Sequence, residues 1–558
     1  MLTTRALARR IDAAQGRIPC DLVLKNARFL DVFSCTFREG DIAVIDGVIV
    51  GTIPGLSGKR VIDCGGDTLV PGFIDAHVHL ESSLVTPDIF ERVVLPRGTT
   101  TVIADPHEIA NVHGTRGLAY FLEAATHAHL DLRVMMSSCV PATVHETNGA
   151  GTIKASALQA LADHPKALGL AEMMNFPGVL GNDPEVLEKL VAFSSRVIDG
   201  HCPLLRGRAL EAYASAGISS CHESSRLDEA REKLGIGIAV WIREGSVAKD
   251  ADALAPLVSL ATSTSLGFCT DDRNPLDIAR EGHVDHVLRK VLKQVREPEV
   301  VYRAASHSVA RHYGLRGLGA IAPGYRADIV RLGDVMTCGV RETYVAGVPA
   351  TELVTRGKAT PDTSNSVRTT VPEAAALESV RGNVHVIDVI PGKIITGRGV
   401  AKHDAPGVHR LTVLERHGHG RAPANAYVRG FGDAFHGAIG SSVGHDSHNL
   451  IVVGKEASDM RVALKALADM GGGFVVVDKG TVVAQLALPI AGLMTTASAP
   501  AVEASLAKLH EASKAVGCAL HEPFLQLAFL SLPVIPSLKL TDHGLFDVDK
   551  FAVIGVAA

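Results

Sequence analysis

Between Gly72 and Asp272 short apolar runs recur, each followed by text in which apolar residues return every three or four positions. The runs are GFIDAHVHL, TTVIADP, LRVMMSS, ALGLAEMM, RVIDGHCP, GISSCHES, IGIAVWIRE and SLGFCTDD. Apolar runs of this length suit strands covered on both faces, and the intervening helical text supplies the crossovers between parallel neighbours. Eight such units over about 250 residues predict a TIM-like (β/α)8 barrel at residues 71–322, with all strand ends converging on one rim.

On either side of the barrel the period changes. Residues 1–70 hold short β-branched runs broken by turn chemistry at Asn26, Gly40, Asp46-Gly47 and Gly65-Gly66. Text of the same kind returns at Pro323–Ala350. The two pieces are expected to close into one small flanking β-sandwich, because the ends of a compact domain lie near each other. The return part and a linker occupy 323–385, with SNSVRTTVPEAAALESV as the best linker candidate. Residues 386–558 mix strand-and-turn text (TVLERHG, GAIGSSVGHDSHNLIVVG, GGGFVVVDKG) with the helical ASDMRVALKALADM and VEASLAKLHEASKAVG. This predicts a separate C-terminal α+β domain, and the chain as a whole is of the α/β class.

Composition narrows the function. The chain has 558 residues, 47% hydrophobic and 21% charged, with a formal net charge of −5. That balance supports large cores and excludes a disordered chain. It gives no global positive field to hold phosphate backbones, so no nucleic-acid partner is expected. No apolar stretch of about 18 residues and no signal-like leader occur, so a cytoplasmic chain without a membrane partner is expected. The nine cysteines are scattered and contain no C-x-x-C pair, which reads as reduced thiols.

The 25 histidines direct attention to metal chemistry. His77 and His79 are two apart in the first strand run and project from one face toward one point. An isolated H-x-H is equally a pair of histidines on a half-buried strand. Later runs, however, also end in ligand-type residues: Glu172 in the fourth, His201 in the fifth, His222 in the sixth and Asp271 in the eighth. Four imidazoles and two carboxylates exceed what one catalytic zinc needs and suit two divalent ions bridged by a carboxylate. The donor set leaves Zn, Fe and Mn open.

The stretches PGFIDAHVHLESS, TTVIADPHEIANVHG, GLAEMMNFPGV, DGHCP, SCHES and CTDDR resemble the amidohydrolase superfamily, and more closely its adenine deaminase family. GHDSHN and LPVIPSLKLTD in the C-terminal region resemble it as well. The resemblance runs from about Asp21 to Asp547. It implies hydrolysis of adenine to hypoxanthine and ammonia, in purine salvage or catabolism, with Mn or Fe favoured at a two-metal centre. Under that resemblance His77, His79 and Asp271 hold one ion, His201 and His222 the other, and Glu172 bridges, with Asp271 and Glu172 as the catalytic carboxylates. Many amidohydrolases carry a carboxylated lysine at the bridge; Glu172 there argues against hydantoinase- or dihydroorotase-like relatives. The family's SHDSHN-type segment begins here with Gly444, so no role carries over to that position.

Residues near these ends have two readings each. Asp105, His107 and Glu108 form either a substrate-facing loop, with Glu108 or Asp105 on a purine nitrogen and His107 assisting or holding a further metal, or a plain turn and helix start. Glu81 and Ser82 either support a ligand histidine or belong to an ordinary loop. Asp446, Ser447 and His448 form either a lid over the barrel mouth or a capped turn. His127, His129, His283, His286 and His312 lie in helical text and are expected mostly at the surface. Rival functions are another binuclear amidohydrolase acting on a cyclic amide or a different aminated heterocycle, and an inactive scaffold of the same fold. A homodimer is the expected assembly, as closed symmetric pairs are common among soluble enzymes.

Overall fold

The computed structural model describes residues 2–558. All eight expected strands form: strand one (Phe73–Val78), two (Thr99–Ala104), three (Asp131–Met136), four (Ala167–Met173), five (Ile198–Gly200), six (Ser220–Cys221), seven (Ala239–Arg243) and eight (Leu266–Cys269). Strands one to five pair in parallel in chain order, as do six to eight. The two arcs meet where the Ser219 N–H donates to the Ile198 carbonyl, 3.1 Å away. On the other side a parallel bridge joins Val78 to Asp271. The ring is therefore closed. Every residue of strands one and two is buried, as expected of strands filled from inside and covered by helices from outside.

The seam between strands one and eight depends on one side chain. Asp75, fully buried in strand one, accepts from the Thr270 amide at 3.0 Å and from its hydroxyl at 2.5 Å. His283 packs beneath the same seam, with Nδ1 3.0 Å from Thr99 Oγ1 and Nε2 3.3 Å from Thr270 Oγ1. Its expected surface placement is thus corrected. His283 sits just before a helix (Val284–Leu292) and turns into the wall because three hydroxyl or carboxyl partners lie there.

The strands before and after the barrel join in one hydrogen-bonded sheet. Thr68–Pro71 pairs antiparallel with Ile329–Leu332, and Cys20–Asp31 carries Gly58–Asp63 on the first half of one edge and Thr68–Pro71 on the second. The sheet splits at that long strand, and separate apolar clusters pack on it. Toward the C-terminus an eight-stranded sheet runs from Thr396–Lys402 at one edge to Thr481–Ala487 at the other. Helix Ala457–Asp469 covers it with Met460, Ala463, Leu464 and Leu467, an i, i+3, i+4, i+7 stripe. The linker segment is pinned rather than loose, since Val367 and Leu377 enter the core beside that helix. No helix among the described residues is long and apolar enough to cross a membrane.

Asp75→Ala leaves the Thr270 N–H unpaired in a dry seam, which costs about 1–3 kcal/mol. Its thermal midpoint is expected below that of Asp75→Asn, which keeps an acceptor; differential scanning calorimetry on both variants checks the order.

Candidate metal centre and its surroundings

The chemistry is concentrated at the C-terminal rim of the barrel. His77 and His79 turn their Nε2 atoms to within 3.1 Å of each other. The opposite nitrogens are engaged outward: His79 Nδ1–H donates to the Asp105 carbonyl at 3.0 Å, and His77 Nδ1 faces Asp199 at 3.4 Å. Such outward partners fix the tautomer and aim the other lone pair at the centre. Asp271 lies just past strand eight with φ +55°, a left-handed conformation that aspartate tolerates better than most residues. Its N–H donates to the His77 carbonyl (3.1 Å) and its carbonyl accepts from the His79 N–H (3.2 Å), which places the carboxylate between the two histidines' strand and the mouth.

Glu172, from strand four, faces both halves of the cluster. Oε1 is 3.2 Å from His79 Nε2 and 3.7 Å from His77 Nε2, while Oε2 is 2.6 Å from His201 Nδ1 and 3.3 Å from His222 Nε2. His77 and His222 stack with ring centres 4.0 Å apart. The six side chains named from the sequence therefore converge. Within them His77, His222 and Asp271 form one compact donor group, and Glu172, His201 and His222 another. His79 groups with Asp105, His107 and Glu172. Buried imidazole and carboxylate donors aimed at shared points are the chemistry a divalent cation requires.

The electrostatics describe a carboxylate-rich cluster that favours positive charge at its centre. Burial disfavours an ionised Glu172, but His201, together with His222 and His79, holds it well below the usual carboxylate range. Burial works against Asp271 as well, and hydrogen bonding to His79 and the Arg243 charge keep it ionised. Burial also opposes a charged His222, yet its hydrogen bond to Glu172 raises it to about 10.

A second acid–imidazole cluster adjoins the first. Helix His107–His113 starts right after the Asp105-Pro106 turn, so the helix-start reading holds, and its first residues nevertheless face inward. His107 lies 3.1 Å from the Asp105 carboxylate and 3.6 Å from Glu172. Glu108 meets His445 at 2.9 Å and is in close contact with His448. Asp446 lies 3.6 Å from His107. The loop carrying His445 to His448 comes from the C-terminal sheet, so the second domain contributes to the barrel mouth. Ile394, Phe529 and Leu532 roof it, with the His445 ring stacked on Phe529 at 4.6 Å. The space left is about 20 Å³, room for about one water.

Other residues named from the sequence lie elsewhere. The Glu81 carboxylate accepts from the Ile109 N–H (3.1 Å) and so supports the helix holding His107 and Glu108, while the Ser82 hydroxyl donates to Asp272. Ser447 donates to Glu146 (2.6 Å), away from the centre. Asp105 spends its side chain on His107 and Ser137.

Sequence reading passed over Arg243, Glu223, Asp272 and His445. Arg243 ends strand seven, the strand that follows His222's, and binds Asp271 Oδ2 at 2.9 Å, Asp250 at 3.2 Å and Glu223 in close contact. A charge closing the apolar run AVWIR was its signal. Glu223 and Asp272 each stand next to a named ligand candidate in the chain, and His445 opens the flagged HDSH segment.

A closed parallel barrel with this ring of imidazoles and carboxylates at its rim defines an amidohydrolase, a class of metal-dependent hydrolases. The amidohydrolase family profile matches residues 68–350, and that of the adenine deaminase C-terminal domain matches residues 393–552. The chain is 50% identical over 564 residues to an adenine deaminase of Methylobacterium sp. (strain 4-46), covering 98% of this chain and 99% of that protein. It is 49% identical over 564 residues to an adenine deaminase of Cereibacter sphaeroides (strain ATCC 17025 / ATH 2.4.3), covering 99% and 100%. The chain belongs to the adenine deaminase family.

Arg243→Ala strands three buried carboxylates and is expected to cost about 3–5 kcal/mol, read as a lower thermal midpoint of the metal-free chain. Lys539, fully buried, donates to the Ile394 and Phe529 carbonyls at 2.9 Å each, and burial pushes its amine down to about 7. Between that value and the ordinary lysine value of 10.5 the unfolded chain holds one more proton than the folded one, so stability rises with pH across this window. Thermal midpoints measured from pH 7 to 10 should show this rise in the native chain and a smaller one in Lys539→Met.

Proposed function

We propose that the chain hydrolyses adenine to hypoxanthine and ammonia at a two-metal centre held by His77, His79, His201, His222, Asp271 and a bridging Glu172. The observation that carries the activity is identity near 50% over almost the whole chain to proteins named adenine deaminase. What supports the two-metal reading is that Glu172 presents one oxygen to His77 and His79 and the other to His201 and His222. Divalent cations held by these residues would lower the pKa of water to about 7 and so would supply a nucleophile at neutral pH. Mn or Fe is the proposed occupant, with Zn compatible with the same donors.

The chain's own residues handle protons and position. Asp271 takes a proton from the attacking water and returns it to the departing amine as the carbon–nitrogen bond breaks and the new carbon–oxygen bond forms. Its neighbour Arg243, at 2.9 Å, orients the carboxylate and keeps it ionised beforehand. Glu108 lines the cavity and is proposed to hold a purine nitrogen, a role for which Asp105 is less suited because its carboxylate is engaged by His107 and Ser137. A cavity of about 20 Å³ admits no purine, so the roof of Ile394, Phe529 and Leu532 has to move for substrate entry and then excludes bulk water.

Purified chain loaded with Mn or Fe is expected to release ammonia from adenine far faster than from guanine, cytosine or a hydantoin, followed by ultraviolet change and ammonia together. Asp271→Ala should lower turnover by about 10³-fold or more with the circular dichroism spectrum unchanged. Glu172→Ala should lower bound metal per chain by plasma mass spectrometry. Full activity in the first, or undiminished metal in the second, refutes the assigned role.

A further inference from the structure

Behind the candidate centre a separate cavity of about 520 Å³ opens between the barrel and the C-terminal domain. It shares no lining residue with the catalytic cavity. Helix His107–His113 links the two, carrying Glu108 at one end and His113 at the other. His417 on the far wall donates from Nε2 to the Ser447 carbonyl at 2.7 Å.

The lining has one sign of charge. Arg116, Lys154 and Arg368 face the space as its cations, beside His113 and His417, whose imidazoles burial pushes down toward the neutral form, and no aspartate or glutamate lines it among the described residues. Two carboxylates stand nearby: Asp362 pairs with Arg116 at 3.3 Å, and Glu415 accepts from the His417 backbone N–H. The thirteen-residue helix Thr115–His127 begins at the wall with Gly114, φ +64°, at its N-cap and no side-chain cap, so its first N–H groups add positive potential there. His113 is only 7% exposed, and its Nε2 has no hydrogen-bond partner. Behind the lining, the fully buried Arg416 donates to Ser366, Ala491 and His448, all neutral oxygens. Burial, and then Arg116, Arg416 and Arg368, push the His113 imidazole down against the pull of Asp362. A recess lined by three cations, with a helix N-terminus and an unpartnered buried imidazole nitrogen in its wall, suits a multiply charged anion. Its size falls within the range of about 300–1,000 Å³ typical of small-molecule sites.

We propose that this cavity binds a di- or triphosphate group, either free or carried by a nucleotide. Isothermal titration of the metal-loaded full chain with pyrophosphate and, separately, with ATP tests it against Arg116→Ala/Arg368→Ala, whose side chains sit at the surface of the cavity. Saturable binding to the native chain, weakened about tenfold or more in the double variant with adenine turnover unchanged, is expected; tenfold corresponds to about 1.4 kcal/mol. Equal affinity for the two ligands identifies the phosphates as the recognised group, and tighter ATP binding identifies a nucleotide. Absence of binding, or binding undiminished in the double variant as chelation at the metal centre would give, overturns the proposal.

Discussion

Charge balance away from water is the constraint on which this molecule is organised. The six candidate ligands are between 1% and 6% exposed, and isolated charges at such depth are prohibitively costly. The structure meets the cost by pairing. Glu172 lies among four imidazoles, Asp271 between His79 and Arg243, and Arg243 among three carboxylates. Each central charge has more than one partner, so the barrel rim is balanced collectively and not pair by pair.

The pairing reaches outward through the fold. Asp75 closes the seam that sets the height of Asp271 relative to His77 and His79, and Glu81 supports the helix that presents His107 and Glu108. From the other domain, Arg416 holds the His448 and Ala491 carbonyls, and Lys539 holds two pieces of the roof. The C-terminal domain is therefore part of the site's architecture. Its loop supplies His445 and Asp446, its roof leaves space for about a water, and its contact with the barrel encloses the basic cavity behind the centre.

The barrel and the primary ligand candidates were legible in the text for physical reasons. A parallel strand covered on both faces must be apolar along its length, so a histidine or carboxylate at its end stands out, as Glu172 does after LGLA and Asp271 after GFCT. Parallel strands also present all such ends on one rim, so convergence followed from the fold class alone. Arg243 was harder to read because an arginine ending a strand is more often a solvated charge; only its three carboxylate neighbours distinguish it.

The sequence by itself determined the order of the strands, the residue types at their ends and the family, because these depend on local period and on identity along the chain. Tertiary structure decided what each polar residue near the rim faces. It turned Ser447 toward Glu146 and Glu81 toward a helix N–H, drew His283 beneath the barrel seam, and brought Glu108 against histidines more than 300 positions away. The physical reason is that a buried polar group takes whichever partner the packing of distant segments places within hydrogen-bond reach, and no local pattern encodes that distance.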